Sequence, residues 1–148
     1  MSIEWKIKPF EALTVNELYD ILQLRSKIFV VEQNCVYLDL DGKDKVALHL
    51  FGIYEDKIVA HARLFKPGIT FEAASIGRVT VDPDYRDRKW GFDLMTEAIA
   101  GILEHFGESQ IMIGAQLYLK KFYEKLGFVQ TSEMYLEDDI PHIEMIKS

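Results

Sequence analysis

The stretch that most constrains the fold reads IGRVTVDPDYRDRKWGFDLMTEA, residues 76–98, and joins an apolar strand to a basic turn and an amphipathic helix. The strand ends at Pro83, which cannot donate a hydrogen bond to a neighbouring strand. A helical spacing of apolar residues resumes after Gly91. Because a helix start leaves N–H groups unpartnered and carries partial positive charge, the basic segment 86–91 predicts a seat for a phosphate-bearing cofactor.

A second block, QLYLKKFYEKLGF at residues 116–128, predicts a helix from about Gln116 to Leu126. Gly127 stands where a helix C-terminal cap prefers glycine. A short strand near 111–114 precedes this helix, and strands near 128–135 and 142–146 follow it. The chain therefore alternates strands and helices in its second half.

Taken together, the two blocks resemble the GCN5-related N-acetyltransferases (GNAT), whose signature Q/RxxGxG/A opens a helix after a strand and whose members commonly show FYxxxGF further on. Arg86 and Gly91 match the first and last positions of that signature. Lys89 stands where the family usually has its middle glycine. If the turn requires positive φ there, a side chain costs about 1 kcal/mol or more.

The resemblance extends over most of the chain. FVVEQNCVYLDLDGKD (29–44) and EDDIPHIEM (137–145) are similar to the ElaA-type branch of these acetyltransferases. This likeness implies an acetyl-CoA dependent N-acetyltransferase that passes an acetyl group to an amine of a small molecule or peptide. The implied route is direct attack in a ternary complex, without an acyl-enzyme.

Periodicity in the first half predicts the remaining elements. Alternation over residues 3–8 indicates a half-buried strand, and Thr14 with Glu17 forms a capping box before a helix that is broken near Phe29. Strands around 46–54 and 58–66 flank a tight polar turn. We expect one α/β domain over residues 1–148, a mixed and mostly antiparallel sheet with helices on both faces. The resemblance adds central strands that splay apart and leave a cleft.

Composition excludes several classes of partner. The net charge of −7 argues against nucleic acid, which is bound through clustered Lys and Arg, and favours a cationic acceptor. Since no apolar run is long enough to span a bilayer, no membrane partner is expected. Cys35 is the only cysteine and the start has no secretory pattern, so we expect a cytoplasmic protein. A monomer and a homodimer stay equally open.

An acidic loop at 34–45 raises the question of calcium. Gly42 comes fourth counting from Asp39, whereas a calcium-binding EF-hand loop has glycine sixth and glutamate twelfth. Histidines also lack zinc-binding spacing. The sequence therefore predicts no metal site.

Site residues follow from the resemblance. Tyr123 matches the tyrosine that family members direct at the sulfur, and a phenol can donate a proton at neutral pH; spacing alone favours a packing role. The main chain of Val79 is expected to stabilise the thioester oxygen, and that of Val81 to hold the pantetheine amides. Main-chain N–H groups of the turn are expected to donate hydrogen bonds to the diphosphate, and the Arg and Lys side chains are expected to add positive charge. The residues of this turn are Arg86, Asp87, Arg88, Lys89, Trp90, Gly91 and Phe92. Gln116 falls where the family often has an asparagine that contacts the pantetheine.

The general base is the least constrained role. Glu32 is preferred because the resemblance places its segment beside the acceptor. His49, His61 and Glu72 are alternatives on or near neighbouring strands, and His142 is a further residue on the acceptor side. The missing obvious base and Lys89 also leave open a different function, a non-catalytic acyl-CoA sensor or docking module with the same fold.

Overall fold

The computed structural model describes residues 2–148, through which an eight-stranded sheet runs. Its strands are β1 (Glu4–Pro9), β2 (Leu48–Tyr54), β3 (Lys57–Phe65), β4 (Ala74–Val81), β5 (Ile111–Gln116), β6 (Val129–Gln130), β7 (Tyr135–Glu137) and β8 (Ile140–Lys147). Its α-helices are α1 (Val15–Arg25), α2 (Trp90–Phe106) and α3 (Lys120–Glu124). None of these helices within residues 2–148 is long and apolar enough to cross a membrane.

The strands follow the order β1-β2-β3-β4-β5-β8-β6, with β7 also paired to β8. Only β4 and β5 run parallel, and every other pair is antiparallel. The prediction of a mixed, mostly antiparallel sheet is therefore confirmed. The β2–β3 hairpin turns through Glu55 and Asp56, with φ of 50° and 63°, a backbone that matches the twist of paired strands.

Helices cover both faces of the sheet. Against one face, α2 and α3 bury Leu94, Met95, Ala98, Ile102 and Tyr123 over Ala60, Ala62, Leu64, Ile113 and Met145. On β3 the intervening side chains point the other way, and there Arg63 shares Asp44 with Arg25 of α1. This alternation puts α1 on the opposite face.

The first helix begins as the sequence predicts, but it does not break at Phe29. The Thr14 hydroxyl accepts from Glu17 N–H at 3.0 Å, while the Glu17 carboxylate accepts from Thr14 N–H at 2.9 Å. After Arg25 the chain widens into a π-helical segment, Ser26–Glu32. Glu32 is the last residue of this segment.

Two predicted elements near the C-terminus are shorter than expected. The helix predicted over 116–126 divides into a 3-10 turn, Leu117–Leu119, and α3, while Gly127 caps it at φ 96° as expected. The strand predicted over 128–135 divides into β6 and β7. The Ser132 hydroxyl accepts from Glu144 N–H at 2.8 Å, so this side chain takes a hydrogen bond that a continuous strand would make with its backbone.

The acidic loop is held by arginines from three different elements. The partners are Arg25 of α1, Arg63 of β3 and Arg78 of β4 with Asp39, Asp41 and Asp44. Burial alone would raise the pKa of Asp41, but hydrogen bonds from Arg63 and from Lys43 N–H hold it well below its usual range. Within residues 2–148 no group of three or more His, Cys, Asp or Glu is placed to hold a metal ion.

Replacing Arg25 should destabilise the fold strongly. Arg25 is fully buried, and Arg25→Met leaves Asp39 and Asp44 with fewer partners, which should cost about 3 kcal/mol or more. Lys8→Met provides a control because the Lys8–Glu17 pair is partly exposed and worth less than about 1 kcal/mol. Urea unfolding measures both free energies, and equal losses would contradict the structural importance of the buried pairs.

Candidate active site

A cleft opens where β4 and β5 stop pairing. The two strands are in register only at Ala74 with Ile111 and at Ser75 with Met112, after which they diverge. A cavity of about 680 Å³ lies there, walled in part by residues 76–81 and 113–116. The splay that the resemblance implies is therefore present in the sheet.

A bulge in β4 shapes one wall of this cleft. The register with β3 shifts from His61 opposite Thr80 to Arg63 opposite Gly77, so that Arg78 and Val79 together face a single residue. Arg78 adopts φ 51°, which side-chain-bearing residues rarely take. Such a bulge bends its strand and disrupts the ladder. Val79 and Val81 both line the cavity, where no β5 residue pairs with them.

The basic turn forms the end of the cleft. Asp82 caps a 3-10 segment, Pro83–Arg88, through the Asp84 N–H at 3.1 Å. Lys89 then adopts φ 61°, the positive φ that the signature glycine would supply, and α2 starts at Trp90. Gly91 lines the cavity, and a Cβ there would lie 3.8 Å from Phe122 and so fill space above the helix start.

Side chains of the turn point in different directions. Arg86 lines the cavity and donates to both carboxylate oxygens of Glu32, at 3.0 and 2.6 Å. Arg88 was also predicted to add side-chain charge at the turn, but in this structure its side chain turns away from the cavity. Its guanidinium donates to the Tyr54 hydroxyl at 3.0 Å and lies over the rings of Tyr54, Tyr85 and Trp90, outside the cavity lining.

The other predicted turn residues divide between core and surface. Trp90 is buried among aromatic rings, so its side chain packs rather than faces the cleft. Asp87, Lys89 and Phe92 are exposed and do not line the cavity. The Phe92 N–H is directed to the Lys89 carbonyl at 3.3 Å. For these four residues only the main chain can contribute to a seat in this arrangement.

Tyr123 lies in the wall of the cleft, between the rings of Phe122 and Phe128. Burial raises the pKa of Tyr123 above its ordinary value, and Tyr118 adds to the shift. Its hydroxyl therefore stays protonated at neutral pH. Gln116 ends β5 and also lines the cavity, opposite His142 in the sheet register.

Of the base candidates, Glu32 and His142 line the cavity and the others do not. His49 and His61 are wrong candidates, since both are fully buried on the α1 face. The Asp44 carbonyl can only accept, so His49 donates to it through Nε2 and accepts from His61 through Nδ1. Burial lowers both histidine pKa values. Glu72 is exposed and outside the lining.

The cavity continues across the α1 face into a compartment that sequence reasoning did not assign. Its walls carry aromatic and acidic side chains beside the basic Lys43, Arg63 and Arg78, of which Arg63 and Arg78 pair with Asp41. The aromatic and acidic residues are Phe29, Tyr37, Phe71, Tyr135, Asp41, Glu137 and Asp138. Burial raises the pKa of Tyr37 to about 12, and the Tyr37 hydroxyl donates a hydrogen bond to the Asp39 carboxylate at 3.1 Å. The sequence feature that could have indicated part of this wall is the Asp-Asp turn between β7 and β8. Both Asp residues adopt positive φ, where a hairpin turn usually has glycine.

Comparison with known proteins assigns the same class of fold. A family model for the acetyltransferase (GNAT) domain matches residues 29–148. The chain belongs to the GNAT acetyltransferase family, which uses acyl-CoA and whose chemistry is acyl transfer. The predicted family is thereby confirmed.

Three comparisons with individual proteins show which members of the family this chain resembles. Protein ElaA of Escherichia coli (strain K12) is 41% identical over 147 residues, covering 98% of this chain and 96% of that protein. The crystal structure of E. coli ElaA gives a TM-score of 0.92 at 40% identity and covers 99% of this chain and 100% of that one. The crystal structure of an acyl-CoA N-acyltransferase from Pseudomonas aeruginosa gives a TM-score of 0.93 at 38% identity and covers 99% of this chain and 100% of that one.

Relieving the backbone at Lys89 should stabilise the protein. Lys89→Gly removes a Cβ from a residue at φ 61°, and we expect a gain of about 0.5–1 kcal/mol after the larger entropy of the unfolded chain is included. Lys89→Ala keeps the Cβ and removes the charge, so it should bring no such gain. Chemical unfolding measures both variants, and an equal gain from alanine would assign the effect to charge instead.

Proposed function

We propose that this protein is an acetyl-CoA dependent N-acetyltransferase that passes the acetyl group to an amine by direct attack in a ternary complex. One observation carries the proposal: the cleft between β4 and β5 has the start of α2 at one end and a buried, protonated tyrosine hydroxyl in its wall. A long, thin thioester cofactor with an anionic end fits such a cleft.

The cofactor would lie along main-chain donors. Val79 and Val81 would offer N–H and carbonyl groups to the pantetheine, as a further strand does, and Gln116 would contribute its amide. Unpartnered N–H groups at the head of α2 would bind the diphosphate, since Gly91 leaves space above them. The main chain of 86–91 takes this role, since the Phe92 N–H is already directed to the Lys89 carbonyl, and Arg86 adds its charge.

Chemistry then needs three events. The amine must lose a proton before it attacks, because a lysine-like amine with a pKa near 10.4 is almost fully protonated at neutral pH. The thioester oxygen gains negative charge, for which the Val79 N–H is the proposed donor. As the thiolate leaves, Tyr123 gives it a proton, a role that its raised pKa allows.

Glu32 takes two roles in this scheme, first as the ion-pair partner of Arg86 and then as a candidate base. In the described structure both its oxygens are engaged by Arg86. A diphosphate at the turn would compete for the Arg86 guanidinium and release the Glu32 carboxylate toward the cavity. Glu32 would then stand beside the incoming amine as a candidate base.

The decisive test measures thiol release from acetyl-CoA with a panel of small amines and peptides, for the wild type and for Tyr123→Phe. We expect turnover to fall about 100-fold or more in the variant while coenzyme A binds unchanged, because only the proton donor is lost. Tyr19→Phe removes the same atom from an exposed residue of α1 and should leave turnover intact. Saturable binding without thiol release from any amine would instead support a non-catalytic acyl-CoA module.

A second test addresses the Glu32–Arg86 pair. Glu32→Gln frees Arg86, and because an exposed ion pair is worth about 0.5–1 kcal/mol, coenzyme A should bind roughly two- to five-fold more tightly. Glu97→Gln on the exposed face of α2 changes the net charge equally and serves as the control. Calorimetry measures both affinities. Equal or weaker binding by Glu32→Gln would contradict the competition.

A further inference from the structure

His142 is held in a single orientation in the wall of the cavity. It lies opposite Gln116 of β5 and stacks on the Tyr135 ring at 6.0 Å between centroids. Its Nδ1 lies 2.7 Å from the Ile140 carbonyl, and since a carbonyl only accepts, Nδ1 carries the hydrogen. The neutral ring therefore keeps its lone pair on Nε2.

That lone pair faces another acceptor. Nε2 of His142 lies 3.4 Å from a carboxylate oxygen of Glu137. Two acceptors that converge in this way require a hydrogen-bond donor, which is either a proton on Nε2 or a donor brought by a ligand. An ammonium group has three N–H donors and can bind both atoms at once.

We propose that His142 and Glu137 form the acceptor-side proton site, which binds the ammonium of the substrate and takes its proton; this inference rests on the proposed function. The ammonium donates to Nε2, the proton moves to the imidazole, and the neutral amine attacks the thioester carbonyl. Glu137 stabilises the imidazolium, and its exposed carboxylate passes that proton to water. When the tetrahedral intermediate collapses, the C–S bond breaks and the leaving thiolate takes a proton from Tyr123. The second N–H proton lost from the nitrogen then returns to the Tyr123 phenolate, so that one proton is released to water in each turnover.

Other candidates are less well placed for this step. Glu32 becomes available only once a bound cofactor draws Arg86 away from both of its oxygens, whereas Nε2 of His142 has no partner besides the Glu137 carboxylate among residues 2–148 from the outset. No other histidine in the described part of the chain lines the cavity. Ionisable groups around His142 come from β7, the following turn, β8 and the loop after the π-helical segment: Tyr135, Glu137, Asp138, Glu144 and Cys35.

The test compares acceptors of different basicity. An α-amine has a pKa near 8 and an ε-amine near 10.4, so the ε-amine depends more on a proton acceptor at pH about 7. For His142→Gln we expect kcat/KM to fall about 100-fold or more with the ε-amine and clearly less with the α-amine. In this variant kcat/KM should follow the fraction of free amine over the whole pH range, unlike in the wild type, while coenzyme A binds unchanged. His105→Gln, on the exposed end of α2, should match the wild type.

A second variant guards against a folding defect. Glu137→Gln alters an exposed side chain and should reduce turnover of the ε-amine about tenfold, with the shape of the wild-type pH profile kept. Equal losses for both amines with an unchanged pH profile would overturn the proposal, as would the His142 pattern appearing in Glu32→Gln instead. If the wild type releases no thiol with any amine, the proposed function fails together with this role.

Discussion

The cleft depends on the way Arg78 is held. Its backbone at φ 51° forms the bulge that bends β4 near the point where pairing with β5 ends. Such a conformation costs about 1–2 kcal/mol for a residue with a side chain. Compensation comes from the guanidinium, whose Nε donates to Asp39 at 2.8 Å while the group lies over Phe29 and Tyr37. One residue thus joins the acidic loop, the aromatic wall and the open strand.

Much of the fold could be predicted because its signals are local. The capping box, the polar hairpin turn and Gly127 act through neighbouring residues, and each lies where the sequence predicted it. The division of β6 from β7 could not be predicted, since it depends on the Ser132 hydroxyl reaching across to the Glu144 N–H of β8. Register and bulges arise from pairing between distant segments, which periodicity does not report.

The candidate site was predictable to the same limited extent. Composition and motifs indicate which residues can do chemistry, but not which way their side chains point. The Arg88 side chain points away from the cavity because it packs on the ring of Tyr54, from a distant hairpin, and donates to the Tyr54 hydroxyl. His61 and His142 are the same residue type, yet one lies sealed under α1 and the other borders the cavity. Only the assembled sheet distinguishes them.

The π-helical segment has a consequence for how such an enzyme can change. Phe29 and Tyr37, two of the aromatic side chains that line the cavity, belong to chain that precedes β2, whereas the basic turn follows β4. The two segments are linked by the ion pairs Lys27–Asp82 and Glu32–Arg86. Because Glu32 lies in the first segment and Arg86 in the second, an insertion or exchange between residues 29 and 41 would change the charge pairing of the basic turn together with the aromatic lining of the cavity. The two ends of the cleft are therefore expected to diverge together rather than independently.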